Sequence, residues 1–152
     1  MNDLLEIEQI KLLKARYFRA LDTKDWDLMA ILLTEDCSTS YSDGKYAFEG
    51  RDATLAFLEE VLGSARKLSL HTGHHPEIEL TDDSTATGIW YLQDIVLDLD
   101  SNFRIYGSGL YTDEYRKVDG GWQICSTGYK RIFECGEHMG AEHMVLDSMF
   151  SA

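Results

Sequence analysis

The apolar residues of the first and second halves of the chain repeat with different periods. In the first half they recur at every third or fourth position, which is typical of helices that bury one face. From about Leu68, apolar and polar residues alternate over long stretches that are separated by Asp- and Gly-rich turns, which is typical of antiparallel strands. This order, helices first and a strand meander second, predicts an α+β fold and not repeated βαβ units.

Three helices and one short hairpin are predicted in the first half. The first helix has a stripe of apolar residues with the spacing of a buried face: Leu4, Ile7, Ile10, Leu13, Tyr17 and Leu21. The second helix is expected to begin near Thr23 or Asp25 and to end at Thr34-Glu35-Asp36. A third helix is predicted over residues 51–63, after a short strand pair that turns at Ser42-Asp43-Gly44.

Three turns divide the second half into four long strands: Asp82-Asp83, Asp100-Ser101-Asn102 and Asp119-Gly120-Gly121. If the first of these is a two-residue hairpin turn, the register sets His71 opposite Asp94. The same register pairs apolar Ile78 with a threonine, which does not suit a sheet with one apolar face. A bulge near Gly73 or Pro76 would restore the alternation.

The charge balance of the chain excludes some classes of partner. The 152 residues carry a formal net charge of −13, so the surplus of lysine and arginine that binds nucleic acids and anionic membranes is absent. The sequence shows no apolar run of membrane-spanning length and no pattern of a signal peptide. Its three cysteines have no paired spacing, which favours a reducing compartment. We therefore expect one soluble, cytoplasmic domain.

Six segments of the chain together resemble a known family. They are YFRALD, LLTEDC, FEGRDATLAFL, H-x-x-x-x-P-E-I-E-L, GLYTDEYRKVDGGWQI and GYKRIFE. The chain resembles a SnoaL-like domain of the NTF2-like superfamily from Leu4 to Glu134. The resemblance implies a cone in which three N-terminal helices pack in a strongly curved, mainly antiparallel sheet. It also implies a domain over residues 1–135 and a homodimer or homotrimer. The tail over residues 136–152 is rich in apolar residues, so we expect it to cover the cavity or a subunit interface.

Within this family the chain resembles the bile-acid dehydratases and hexachlorocyclohexane dehydrochlorinase, and more distantly scytalone dehydratase. Those enzymes eliminate water or HCl across a carbon–carbon bond with a histidine–aspartate pair and no cofactor. The resemblance therefore implies a small or medium hydrophobic substrate and no cofactor. It carries over a set of five polar residues by position: Tyr17, Asp22, His71, Asp94 and Arg131.

The five residues have the chemistry that an elimination next to a carbonyl requires. His71 suits the base, since imidazole accepts a proton near neutral pH, and Asp22 could fix its tautomer. Tyr17 could donate to the enolate oxygen. Asp94, kept partly protonated by burial, could serve the leaving group, and Arg131 could orient Asp94 or bind a substrate carboxylate or carbonyl. Each residue also has an ordinary structural interpretation, as a helix cap, a core tyrosine or an exposed strand residue.

A group of histidines raises the question of a metal site. Adjacent His74 and His75 must face opposite sides of a strand, so they cannot both join His71 in one site, and no metal is expected. His75 is the reserve candidate for the catalytic histidine if the strand register differs. Gly107 and Gly109 lie in a strand with no helix after it, and they are expected to be bend points and not a nucleotide loop.

Two other classes of function are compatible with the same residues. A fold of this kind can serve as a non-catalytic ligand-binding or accessory module, because the fold does not determine the function. The same acid–base set could also catalyse double-bond isomerisation or a polyketide cyclisation.

Overall fold

The computed structural model describes residues 3–151. Within these residues the elements are α1 (Asp3–Thr23), α2 (Trp26–Leu32), β1 (Leu33–Tyr41), β2 (Tyr46–Glu49), α3 (Arg51–Leu62), β3 (Lys67–Leu80), β4 (Thr85–Asp98), β5 (Phe103–Val118) and β6 (Gly121–His138). The predicted order of two helices, a short hairpin, a third helix and a four-strand meander is confirmed. None of the described helices combines the length and the apolar character that crossing a membrane requires.

The six strands form one curved sheet in the order β2-β1-β6-β5-β4-β3. Neighbouring strands are antiparallel except β1 and β6, which run parallel. Helix α1 packs on β3 at one edge of the sheet, and α3 packs on β1 near the other. The α+β class is therefore confirmed, and the inner face of the sheet is the face that the helices cover.

The core lies between α1 and the inner face of the sheet. Most of the predicted stripe of α1 is buried, including Ile10, Leu13, Tyr17 and Leu21. The inclusion of Leu4 in the stripe was wrong, since its side chain is 75% exposed. The buried residues of α1 begin only at Ile10, so the first turn of the helix does not pack on the core. The buried face of α1 also contains Lys14, which is fully buried and whose Nζ lies 2.7 Å from Oδ2 of the equally buried Asp113. A buried charge of this kind is retained only with a partner, and apolar periodicity does not predict it.

The second helix is shorter than predicted. It ends at Leu32, and Thr34-Glu35-Asp36 belong to β1. Leu33, the first residue after the helix, pairs with Ile124 of β6, so the chain changes there from helical to inter-strand pairing. Because this partner lies far along the chain, the local sequence gave no signal for the strand.

The register of β3 and β4 changes along the pair. His71 lies opposite Asp94, as predicted, whereas nearer the turn Ile78 lies opposite Gly88 and not opposite a threonine. The shift occurs around His75, whose φ of 48° marks an irregular backbone. The bulge predicted near Gly73 or Pro76 is therefore confirmed. The two-residue turn assumed for that register does not form, because Leu80 pairs with Ala86 and the N–H of Thr81 donates to the carbonyl of Thr85, which leaves residues 82–84 in the turn.

Candidate active site

Asp22 and His71 form a hydrogen-bonded pair between α1 and β3. The ring Nδ1 of His71 lies 2.7 Å from Oδ1 of Asp22, and the backbone N–H of His71 donates to Oδ2 at 2.8 Å. The hydroxyl of Ser69 also donates to Oδ1, at 2.8 Å. Among residues 3–151 no protein group forms a hydrogen bond with Nε2 of His71. The pair therefore has an oriented imidazole with one ring nitrogen free.

The end of α1 brings Asp22 to β3. Asp22 lies in the last turn of the helix, and Lys24, just beyond it, has a positive φ of 58°. The Nζ of Lys24 donates to the backbone carbonyls of Leu62 at 2.6 Å and Lys67 at 2.7 Å. Because these bonds tie the helix end to α3 and to the start of β3, the Asp22 carboxylate is held beside His71.

Asp94 and Arg131 form a second pair across the sheet. Nη1 of Arg131 donates to Oδ1 of Asp94 at 2.5 Å, and Nη2 donates to Oδ2 at 2.9 Å. Asp94 is only 4% exposed, so this bidentate contact is shielded from water. Burial acts to lower the pKa of Arg131, but the hydrogen bonds and the charge of Asp94 outweigh it and raise the pKa. Arg131 therefore keeps its positive charge.

Two tyrosine hydroxyls, one from α1 and one from β1, contact each other. The hydroxyl oxygens of Tyr17 and Tyr41 are 2.8 Å apart, and both residues are buried. Burial raises the pKa of Tyr17, and the neighbouring Tyr111 and Tyr41 raise it further. Burial likewise raises the pKa of Tyr41. Both hydroxyls consequently stay protonated near neutral pH and can donate hydrogen bonds.

These groups meet at one cavity of about 450 Å³ between the helices and the inner face of the sheet. The cavity is lined by Tyr17, His71, Asp94 and Arg131. Asp22 is not part of the lining but contacts Nδ1 of His71. Much of the remaining lining is aliphatic or aromatic and includes Leu21, Phe57, Leu58, Val61, Val96 and Ile105. The structure thus brings together all five residues that the sequence resemblance indicated. The cavity combines a free imidazole nitrogen, hydroxyl donors and a guanidinium within an apolar wall.

A larger groove of about 710 Å³ is lined by His74, His75 and Tyr91. The ring of His75, the reserve candidate, lies edge-on to Tyr91 with the centroids 6.2 Å apart. Within the described residues this groove has no carboxylate–imidazole pair like that of Asp22 and His71, so the inner cavity is the candidate active site. Across residues 3–151 no group of three or more histidine, cysteine or acidic side chains is placed to hold a metal ion.

Sequence reasoning missed several polar residues at this site, among them Ser69, Tyr41 and Glu134. Ser69 is two positions before His71 on β3, so strand alternation could have identified it. Tyr41 and Glu134, which also line the cavity, come from β1 and β6. Their approach depends on long-range pairing, which leaves no local sequence signal.

Several solved structures share this architecture. A provisionally named scytalone dehydratase from Novosphingobium aromaticivorans is 23% identical, with a TM-score of 0.82 over 96% of this chain and 97% of that one. Hexachlorocyclohexane dehydrochlorinase LinA-type3 from Novosphingobium barchaimii LL02 is 18% identical, with a TM-score of 0.81 over 95% and 97%. A provisionally named aromatic ring hydroxylase from N. aromaticivorans is 21% identical, with a TM-score of 0.76 over 84% and 90%. At these identities the likeness establishes the NTF2-like fold.

The family follows from the sequence match. The model of the SnoaL-like domain matches residues 2–128, which is most of the chain. The chain therefore belongs to the SnoaL-like domain family.

Proposed function

We propose that this protein is a cofactor-independent lyase that eliminates water from a small or medium apolar cyclic compound with hydroxyl and keto groups. The observation that carries the proposal is the Asp22–His71 pair, with Nδ1 bound at 2.7 Å and Nε2 free at the cavity. A carboxylate that accepts from Nδ1 favours the tautomer whose Nε2 can take up a proton, and it stabilises the imidazolium that results.

The elimination proceeds through an enolate. His71 Nε2 removes the proton next to the carbonyl, and the C–H electron pair forms an enolate whose oxygen accepts from Tyr17. The enolate then re-forms the carbonyl as the new C=C bond forms and the carbon–oxygen bond to the hydroxyl breaks. The departing oxygen accepts from Arg131 and takes the proton back from the imidazolium, so one water leaves. Asp94 has both oxygens engaged by Arg131, and in this scheme its part is to hold the guanidinium.

The substrate class is supported by the shape and lining of the cavity. A volume of about 450 Å³ lies within the range of small-molecule sites, and apolar residues dominate the walls. Two of the similar structures are named as a scytalone dehydratase, provisionally, and as a dehydrochlorinase, and both names denote eliminations. These likenesses favour an elimination over other reactions of an imidazole base.

The experiment is turnover on a panel of cyclic hydroxyketones, followed by mass spectrometry. We expect a product lighter by one water with the wild type, and none with folded His71→Gln. Full turnover by His71→Gln on a confirmed substrate would overturn the assignment. A product of unchanged mass with a shifted double bond would indicate an isomerase instead, and saturable binding without turnover would indicate a ligand-binding module.

We also propose that the tail after β6 covers the cavity mouth. The ring of Phe150 lies 4.6 Å from Nζ of Lys24, which is bound to the carbonyls of Leu62 and Lys67 at the cavity wall. Removing residues 140–152 should therefore weaken ligand binding without unfolding the domain. A truncated protein that binds ligand as tightly as the full chain would contradict this role.

A homodimer or homotrimer is proposed on the exposed apolar residues of the sheet. Ile89 and Tyr91 of β4 and Ile132 and Phe133 of β6 are each more than 40% exposed, and exposed apolar surface can be covered by a second copy of the chain. Light scattering on the purified chain should give a mass of two or three copies. A monomer at all concentrations would contradict the proposal.

A further inference from the structure

The guanidinium of Arg131 lies between two carboxylates. Asp94 accepts hydrogen bonds from Nη1 and Nη2, and Oε2 of Glu134 lies 2.9 Å from Nε in an ion-pair contact that lacks the alignment of a hydrogen bond. One face of the guanidinium lies over the ring of Tyr129, 5.0 Å from its centroid. Arg131 therefore contacts two carboxylates and an aromatic ring before any substrate arrives.

The backbone brings this arrangement about. Arg131 and Glu134 are three positions apart, so on a regular strand they would face opposite sides of the sheet. A register shift places Arg131 opposite Gly109 but Phe133 opposite Ser108, which leaves one residue of β6 unpaired. This bulge puts Arg131 and Glu134 on the same face.

Gly107 provides the space between the two acids. It lies opposite Asp94 on β4 and opposite Glu134 on β6, so it separates the two acidic residues across the sheet. A Cβ on Gly107 would lie 3.3 Å from Nη1 of Arg131 and 2.4 Å from the backbone oxygen of Phe133. The absence of a side chain therefore lets the guanidinium occupy the gap.

The group formed by Asp94, Arg131 and Glu134 carries one net negative charge when its members are ionised. A neutral hydroxyl or carbonyl oxygen can still accept from the remaining N–H groups of the guanidinium. A carboxylate would gain the same hydrogen bonds but would meet two like charges within a partly buried site. The other cations of the wall offer little compensation, because Lys67 is paired with Asp98 at 3.1 Å and Lys45 is exposed.

We propose that Glu134 is a specificity-determining residue that keeps carboxylate-bearing compounds out of the cavity and admits uncharged oxygen compounds. The proposal deepens the proposed function, because it rests on the cavity being the substrate site. Its test is a binding measurement, so its outcome is separate from turnover and from His71.

The experiment compares two probes of nearly equal shape, 2-naphthamide and 2-naphthoate, by titration calorimetry at neutral pH. The wild type is expected to bind the amide at least about tenfold more tightly than the carboxylate. Glu134→Gln should reduce this preference by about tenfold, through a gain in carboxylate affinity with amide affinity unchanged. Glu134→Ala should shift the preference in the same direction.

Glu137→Gln is the matched control. Glu137 is on the same strand and pairs with Arg104, and its substitution removes the same charge without touching Arg131. The control should keep the wild-type preference, which separates a local contact from the overall charge of the chain. An unchanged preference in folded Glu134→Gln, an equal shift in Glu137→Gln, or no binding of either probe would overturn the proposal. Turnover lost in His71→Gln would still support the lyase assignment in each of those cases.

Discussion

The carboxylate of Asp22 holds His71 at two points, the ring Nδ1 at 2.7 Å and the backbone N–H at 2.8 Å. The backbone contact orients the carboxylate independently of the ring, so the acceptor for Nδ1 is in place before a substrate binds. Ser69 adds a third contact to the same carboxylate. The orientation of the imidazole thus depends on groups that never reach the reacting atoms.

Ser69→Ala should lower kcat without changing KM. The substitution removes one of the three donors to Asp22, and a hydrogen bond to a charged group contributes about 1.5 kcal/mol, or about tenfold in rate. Steady-state kinetics on the confirmed substrate measures the effect. Thr72→Ala on the same strand is the control, since its hydroxyl bonds to Gln93 and not to the pair. A KM increase with kcat unchanged would contradict the positioning role.

Tyr17→Phe should lower kcat by about a hundredfold, because it removes a donor to the enolate oxygen. Tyr41→Phe should have a smaller effect of the same sign, since it leaves the Tyr17 hydroxyl without its 2.8 Å partner. The double variant should be no slower than Tyr17→Phe, because the two hydroxyls act as one unit. Tyr91→Phe in the other groove serves as the control. Strictly additive losses would show that the hydroxyls act separately.

Lys14→Met should destabilise the fold by about 3–5 kcal/mol, because it leaves Asp113 buried without its cation. The second substitution Asp113→Asn should recover part of that loss by removing the uncompensated charge. Urea unfolding measures both changes. Lys11→Met on the same helix removes an exposed pair with Glu8 and should cost less than about 1 kcal/mol. Equal losses in the Lys14 and Lys11 variants would contradict this account.

Stability should fall as the pH rises above about 10. Burial raises the pKa of Tyr17, Tyr41 and Tyr111, so the folded state keeps protons that the unfolded state releases. The unfolded state then binds fewer protons, and the free energy of unfolding drops by up to about 1.4 kcal/mol per pH unit for each tyrosine. Urea unfolding between pH 9 and 12 measures the slope. Tyr17→Phe should make the dependence of the free energy of unfolding on pH shallower. A slope identical to that of the wild type would contradict the explanation.

The parts of the fold that depend on local periodicity could be predicted from the sequence. Helices α1 and α3 and the four long strands follow from the spacing of apolar residues, and their order follows from the turns. The predictions that failed concern residues whose pairing partners are distant in the chain. Thr34-Glu35-Asp36 lie in β1 between Leu33 and Ser38, which pair with Ile124 and Ser126 of the distant β6, and no local pattern distinguishes this segment from the end of a helix.

The same distinction, between residues that could and could not be predicted from the sequence, applies to the candidate site. The resemblance indicated five polar residues, and the structure gathers them at one cavity. Glu134 could not be assigned to that face, because the bulge that places it beside Arg131 is a property of the β5–β6 pairing. The buried Lys14 was hidden within an apolar stripe, since only the tertiary contact with Asp113 makes its burial possible.

The tautomer of His71 decides whether its Nε2 can act as the base. Long-range proton–nitrogen NMR on the neutral imidazole distinguishes the two ring nitrogens directly, in the wild type and in Asp22→Ala. If Asp22 accepts from Nδ1, the wild type carries its proton on Nδ1 and has a bare Nε2, and Asp22→Ala loses that preference. A wild-type proton on Nε2, or the same tautomer in both proteins, would contradict the mechanism.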